Sequence, residues 1–233
     1  MTETLGQLGE KEIHKRLSLF METGQIDDDT AELDTGNKKI LINNDLLVEN
    51  VHFSECTTSP EDIGWRAVIA NLSDVACSGS HEIAGITIGL VLTPQTTWEW
   101  LEGVYKGINA ALKTYGGKIL GGDCSKGDQK VISITAIGKL GDLRLHRSNA
   151  LPGDCLVVSG PHGLSRLGLW LLQSERKDSI KIPEDLKKIA IRCHQRPEPP
   201  IEALKTLLRC KPKATPLRAA GTDSSDGLLN AIE

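Results

Sequence analysis

Trp65, Ile69, Leu72 and Ala76 recur at intervals of four, three and four, so they share one face of a helix over about 61–78. Asn71, Asp74 and Ser78 fall on another face of the same helix. Its start is written in Thr58-Ser59-Pro60-Glu61, with Ser59 as N-cap and Pro60 at the first helical position. A second long helix runs over about 97–115 and stops at Gly116-Gly117. A shorter amphipathic helix is predicted from Leu8, Ile13, Leu17 and Phe20. Between these lie strand patterns. Residues 39–43 form one, closed by Asn43-Asn44-Asp45, and 46–48 and 51–53 form further extended pieces. Residues 83–92 are rich in β-branched side chains, and 131–138 place Ile132, Ile134 and Ala136 on one face. The acid-rich stretch 24–34 reads as a loop, and Ile119-Leu120 runs into Gly121-Gly122-Asp123, which taken alone could be a plain turn.

The character changes at Leu151-Pro152-Gly153-Asp154, a turn-rich break that divides the chain into 1–149 and 150–233. The second part predicts a buried strand at 155–159, a helix to about 172, a charged loop at 174–181 and a helix over 183–192. A rigid connector at 194–200, a helix over 201–208, a short strand at 219–223 and a helix from Ser224 follow. Strands alternating with helices indicate an α/β or α+β architecture.

With 39% hydrophobic and 25% charged residues, the 233-residue chain can bury a core. Its formal net charge of −4 argues against nucleic acid or an anionic membrane as partner. No apolar run approaches a membrane span and the N-terminus lacks a signal-peptide pattern, so a cytoplasmic location is expected. The six cysteines form no Cys-x-x-Cys pair or zinc spacing and are expected to be free thiols.

The chemistry must rest on acids. There is no Gly-x-x-x-x-Gly-Lys-Ser/Thr loop, no Gly-x-Gly-x-x-Gly turn and no Gly-x-Ser-x-Gly elbow. Asp28-Asp29, Asp45, Asp74, Asp123, Asp223 and Asp226 each stand at a punctuated place in the pattern. Magnesium takes hard oxygen ligands and shares them between carboxylates, water and substrate phosphates. Several acids around several ions would neutralise two phosphate-bearing substrates. Singly, each acid also fits a turn, a helix cap or a solvated surface.

In order, the chain carries Asp27-Asp28-Asp29-Thr30-Ala31, Asp45 through His52-Phe53, Asn71-Leu72-Ser73-Asp74, Gly121-Gly122-Asp123, Arg147-Ser148, His194-Gln195-Arg196-Pro197 and Asp223-Ser224-Ser225-Asp226-Gly227. This succession resembles the thiamine-monophosphate kinase family over essentially the whole chain. The resemblance implies a two-domain fold like that of aminoimidazole-ribonucleotide synthetase. In it residues 1–149 bind ATP and magnesium and form a homodimer through their sheets, and 150–233 form an incomplete second α/β domain. It implies ATP-dependent phosphorylation of thiamine monophosphate to thiamine diphosphate by direct transfer, with several Mg2+ ions and no covalent nucleophile.

Site residues follow from the same resemblance. Asp29, Asn43, Asn44, Asp45, Asp74, Asp123, Asp223 and Asp226 would hold metal. Gly121, Gly122, Arg147 and Ser225 would contact ATP, and His52 thiamine monophosphate. Three departures stand out. Asn43 and Asn44 replace a usual Ser and Thr, Asp27 replaces a usual Gly, and the family pattern continues beyond the last residue of this chain. Alternative readings are another ATP-dependent synthetase of the superfamily, for selenophosphate or aminoimidazole ribonucleotide, or a non-catalytic nucleotide- or metal-binding module.

Overall fold

The computed structural model describes residues 4–21, 25, 28–173, 181–210 and 217–232. Asp27 and all but the last residue of the predicted 174–181 loop lie outside them. Helices α1 (Leu5–Leu8) and α2 (Glu10–Leu17) lead into a single 3-10 turn and then strands β1 (Ala31–Asp34) and β2 (Lys39–Val48). Helix α3 (Pro60–Cys77), strand β3 (Ser80–Leu92), helix α4 (Trp98–Tyr115), and strands β4 (Ile119–Lys126) and β5 (Val131–Leu140) complete the first part. Helices α5 (Leu164–Gln173), α6 (Glu184–Gln195), α7 (Ile201–Arg209) and α8 (Leu228–Ile232) follow. No described helix is long and apolar enough to cross a membrane.

The strands form one five-stranded sheet in the order β1-β2-β5-β3-β4. All neighbours are antiparallel except β3 and β4, which run parallel because α4 carries the chain back between them. The predicted inward face of β5 is correct, since Ile132, Ile134 and Ala136 are fully buried. Helix α3 covers that face, with Trp65, Ile69, Leu72 and Ala76 all buried as their spacing predicts. Ser59 caps α3 through its side chain, which accepts a hydrogen bond from the Asp62 backbone N–H at 3.2 Å. Replacing that hydroxyl, Ser59→Ala, should cost about 1 kcal/mol in chemical denaturation.

Helices α3 and α4 touch backbone to backbone. A Cβ built on Gly64 would lie 1.9 Å from the Val104 carbonyl oxygen, and one on Gly107 would lie 1.8 Å from that of Glu61. Glycine at both positions is therefore a packing requirement. The other face of the sheet carries Asn44, Ser133 and Thr135 and leaves Leu46 half exposed, at 51%.

Several expectations are corrected. Asn43-Asn44-Asp45 does not close a strand but lies in the middle of β2, paired with Ala136, Thr135 and Ile134. The period-two alternation sends Asn43 and Asp45 towards α3 and Asn44 to the open face. The acid-rich loop ends in strand β1. Gly121-Gly122-Asp123 is strand, not turn, because β4 pairs with β3 along its whole length. At Gly122 a Cβ would meet the Ile88 carbonyl oxygen at 2.0 Å, so this glycine is needed for strand approach. Residues 155–159 are neither strand nor buried: Val157 is 85% exposed, and no described strand pairs with them. Residues 219–223 are likewise not strand, and α8 begins at Leu228 instead of Ser224. Helix α6 extends through His194 and Gln195, the start of the predicted connector. The six cysteines are free.

Candidate metal and phosphate site

The site is built where the C-terminal half of α3 meets β2. Asn71, buried on the polar stripe of α3, donates from Nδ2 to the Ala67 carbonyl at 2.9 Å and so holds its own rotamer against the helix. Its Oδ1 then faces the strand, accepting from Asn43 Nδ2 and from the Asp45 backbone N–H, each at 3.2 Å. Asn43 Nδ2 also donates to Asp74 Oδ2 at 2.8 Å. One amide thus bolts helix to strand, and one turn further along α3 Asp74 is held beside Asn43. Spacing alone placed Asn71 and Asp74 on one face, but the cross-link to β2 was not legible.

Two other segments bring further acids. Asp29, ahead of β1, accepts from the Cys77 thiol (Sγ···Oδ2 3.3 Å) and from the Asp223 backbone N–H (3.3 Å). Asp223 thereby ties the far end of the chain to the first part. Burial raises the carboxyl of Asp74 to about 9, helped by the charges of Asp223, Asp45 and Asp29. Asp45 is raised by burial and then by Asp223, with Asp226 and Asp29 adding to it, and Asp223 by burial and then by Asp29. The thiol of Cys77 is pushed up by burial and by the same acids. Half-buried acids that raise one another in this way need a cation or a shared proton to coexist.

Asn43 Oδ1 is a buried acceptor without a partner. An orphaned amide oxygen on a residue that touches Asp74 adds one hard donor to a set of carboxylates that repel one another. Among the described residues no three His, Cys, Asp or Glu side chains are grouped tightly enough to hold an ion alone.

The basic residues beside the cluster are organised by Asp28, whose side chain is fully buried. Arg144 Nη2 donates to Asp28 Oδ2 at 2.7 Å and Arg144 Nη1 to the Ser78 carbonyl at 2.8 Å. Arg147 Nε lies 3.4 Å from Asp28 Oδ1, and its Nη2 pairs with Asp29 Oδ1 and donates to Thr222 Oγ1 at 3.2 Å. Asp28 is therefore the anchor of the 144–147 loop, a role its place in an acidic run gave no sign of. Removing its charge by Asp28→Asn would keep one acceptor oxygen but turn an NH2 donor towards the other guanidinium. The expected loss is about 3 kcal/mol in urea unfolding, as for one partner of a buried ion pair.

The remaining sequence-derived residues are placed unevenly. Ser225 is exposed and lies close enough to Asp223 to lower that carboxyl's pKa against the effect of burial. Asp226 is exposed but close enough to act on Asp45. His52 is exposed in the loop after β2, its Nδ1 accepting from the Val48 N–H at 3.0 Å. Three residues do not join the cluster within one chain. Asn44 donates from Nδ2 to Ser133 Oγ (2.9 Å) and Thr135 Oγ1 (2.9 Å) on the opposite face. Asp123 stands on the edge strand β4 in register with Gly89, on that same open face, as does Gly121 opposite Thr87.

A five-stranded mixed sheet with acids gathered between one strand, one covering helix and a returning C-terminal segment defines a class. The chain matches the family AIR synthase related protein, N-terminal domain, over residues 27–140. It is 61% identical over 232 residues to thiamine-monophosphate kinase of Prochlorococcus marinus, covering 99% of this chain and 70% of that one. The same enzyme of Synechococcus elongatus is 40% identical, covering 98% of this chain and 69% of that one. The chain belongs to the thiamine-monophosphate kinase family. Among solved structures, AaThiL complexed with AMPPCP and TMP superposes with a TM-score of 0.79 at 32% identity, covering 88% of this chain and 64% of that one. Thiamine monophosphate kinase of Aquifex aeolicus gives 0.76 at 30% identity, covering 88% and 65%. The chain thus spans about two thirds of the length of its solved relatives.

Proposed function

We propose that this chain carries the nucleotide and metal half of an enzyme that phosphorylates thiamine monophosphate with ATP. The observation that carries the reading is the electrostatic coupling of the half-buried Asp74 to Asp223, Asp45 and Asp29, in a chain so similar to thiamine-monophosphate kinases. A phosphate oxygen of thiamine monophosphate would attack the γ-phosphorus of ATP, and the bond from that phosphorus to the β,γ-bridging oxygen would break. The products are thiamine diphosphate and ADP. Mg2+ held by these acids would neutralise the phosphate charge that builds during transfer.

The chain's own contribution is position. Asn71 and Asn43 lock the acids to a helix and a strand, so little reorganisation is needed when ligands arrive. Arg147 lies at the cluster, where a phosphate could draw it away from Asp29. No side chain needs to form a covalent intermediate.

Asn44, Asp123, Gly121 and the half-exposed Leu46 all lie on the uncovered sheet face. We infer a homodimer joined through that face, in which these residues meet their counterparts across a two-fold axis. We also keep the division at about residue 149, with 1–149 as the binding and dimerisation part, 150–233 as part of a second domain, and a cytoplasmic setting. The test is to incubate the chain with Mg-ATP and thiamine monophosphate and follow thiamine diphosphate and ADP. Equal amounts of both products support the reading; ADP with free phosphate, or no product, counts against it.

A further inference from the structure

We propose that Arg66 binds the phosphate group of the acceptor substrate. This rests on the phosphoryl-transfer reading above and adds a residue to it. Arg66 sits on α3, two turns before Asp74, half-buried beneath the loop that carries His52. Its one hydrogen bond runs from Nη1 to the His52 carbonyl oxygen, at 3.1 Å. A guanidinium has five N–H bonds to give. The others find no acceptor among the described residues, and no described carboxylate pairs with it.

The contrast with the other basic groups at the site is direct. Arg144 is committed to Asp28, and Arg147 to Asp28 and Asp29. Arg196, on the outer side of α3, pairs with Asp62 and Glu61. Only desolvation acts on Arg66, lowering its affinity for a proton, with no acid to offset it. None of its nitrogens is a buried unpartnered atom, so the free N–H groups of this half-buried guanidinium are open to an incoming anion.

The neighbouring His194 strengthens the case. It is 5% exposed, its Nδ1 lies 3.4 Å from Ser165 Oγ, and its Nε2 is buried without a partner. Burial, and then the charge on Arg66, lower its pKa to about 4, so it is neutral at pH 7 and does not compete for the anion. His52 connects this place to the carboxylates. Its carbonyl holds Arg66, while its ring lies near enough to Asp45 to act on that carboxyl. The two substrates are both anionic, and metal at the acids would serve the nucleotide's phosphates. The acceptor's phosphate needs a cation of its own, and Arg66 offers a planar fork suited to phosphate oxygens.

The test compares thiamine monophosphate with thiamine, which lacks the phosphate, by calorimetric titration in the presence of Mg2+ and a non-hydrolysable ATP analogue. The unaltered chain should prefer thiamine monophosphate. R66M should weaken its binding by about tenfold or more, the worth of a charged hydrogen bond, and leave thiamine unchanged. R66Q carries the same test should R66M fail to fold. Equal binding of thiamine monophosphate by variant and unaltered chain would overturn the proposal. So would an equal loss for both ligands, because Arg66 would then merely hold the His52 loop. If the unaltered chain bound neither ligand, the acceptor reading itself would fall, and this proposal with it.

Discussion

Asp74→Asn is expected to lower phosphoryl-transfer turnover at least about a hundredfold while leaving the metal-free chain as stable as before or more so. The direction follows from the electrostatics. The carboxyl of Asp74 is raised to about 9 by burial and by Asp223, Asp45 and Asp29. A carboxyl whose folded pKa exceeds its unfolded value binds more protons in the folded state. Its contribution to stability therefore falls as pH rises from about 4 towards 9. The metal-free chain should lose melting temperature over that window, and Mg2+ with an ATP analogue should restore more of it at pH 8 than at pH 6. At a hundred times its dissociation constant, a bound ligand stabilises by about 2.7 kcal/mol.

The amide in Asp74→Asn removes one charge from the cluster, so the pH slope should flatten. It also weakens the cation site, so the ligand-dependent rise should shrink. A stabilising effect in the empty protein together with a loss of function separates this account from a packing role. If the variant melted several degrees lower without ligand and kept its turnover, Asp74 would be a structural residue. The measurement is a melting series over pH with and without Mg2+, alongside steady-state turnover.

The largest effect on stability is expected at the α3–α4 crossing. Gly107→Ala would drive a methyl group to 1.8 Å from the Glu61 carbonyl oxygen, with Trp65 N at 2.9 Å. Neither atom can yield without moving α3. The helices would have to separate, and Val104, Ile108 and Ala111, each fully buried, would lose packing together. The expected destabilisation is about 3 kcal/mol or more, at the upper end for overpacked cores. Because α3 carries Asn71 and Asp74, any population that folds should also bind nucleotide more weakly. Chemical denaturation of Gly107→Ala checks the first point and titration of the folded fraction the second. A control at Gly116, where nothing lies within 4 Å of a built Cβ, should show only the milder cost of its φ of 94°.

The sequence made the regular part of this fold readable where burial was one-sided. The spacing of Trp65, Ile69, Leu72 and Ala76 specified a helix and its buried face because α3 has only one apolar side to satisfy. Ser59-Pro60 marked its start for a local reason, the need to satisfy an N-terminal N–H. The polar part was harder. Asn43-Asn44-Asp45 resembles a turn because three polar residues rarely stand in mid-strand. In β2 each has a separate partner: Asn71 and Asp74 for Asn43, Ser133 and Thr135 for Asn44, and the Asn71 side chain for the Asp45 N–H. None of these lies within twenty residues, so no local pattern could reveal them.

Gly121-Gly122-Asp123 misled in the same way. The glycine that looks like a turn is there because β3 approaches too closely for a side chain. The run at 155–159 has the apolar content of a core strand, yet content does not make a strand without an edge to pair with. Of the site, the acids were legible as a set only through the resemblance. The buried role of Asp28, the locking amide of Asn71, the thiol of Cys77 and the unpaired guanidinium of Arg66 came from three-dimensional placement. Arg66 carried one available signal, a basic residue inside an otherwise apolar helical run.

The central claim is that Asp29, Asp45, Asp74 and Asp223 hold a divalent cation together with nucleotide phosphates. Its most direct test is the affinity of a non-hydrolysable ATP analogue, titrated into the chain once with saturating Mg2+ and once with EDTA. The four acids are negative, or share protons, when empty, and would repel a bare triphosphate. Binding should therefore be at least about a hundredfold tighter with Mg2+, equivalent to about 2.7 kcal/mol. Equal affinity in EDTA and in Mg2+ would contradict the account, because the carboxylates would then have no part in holding the nucleotide.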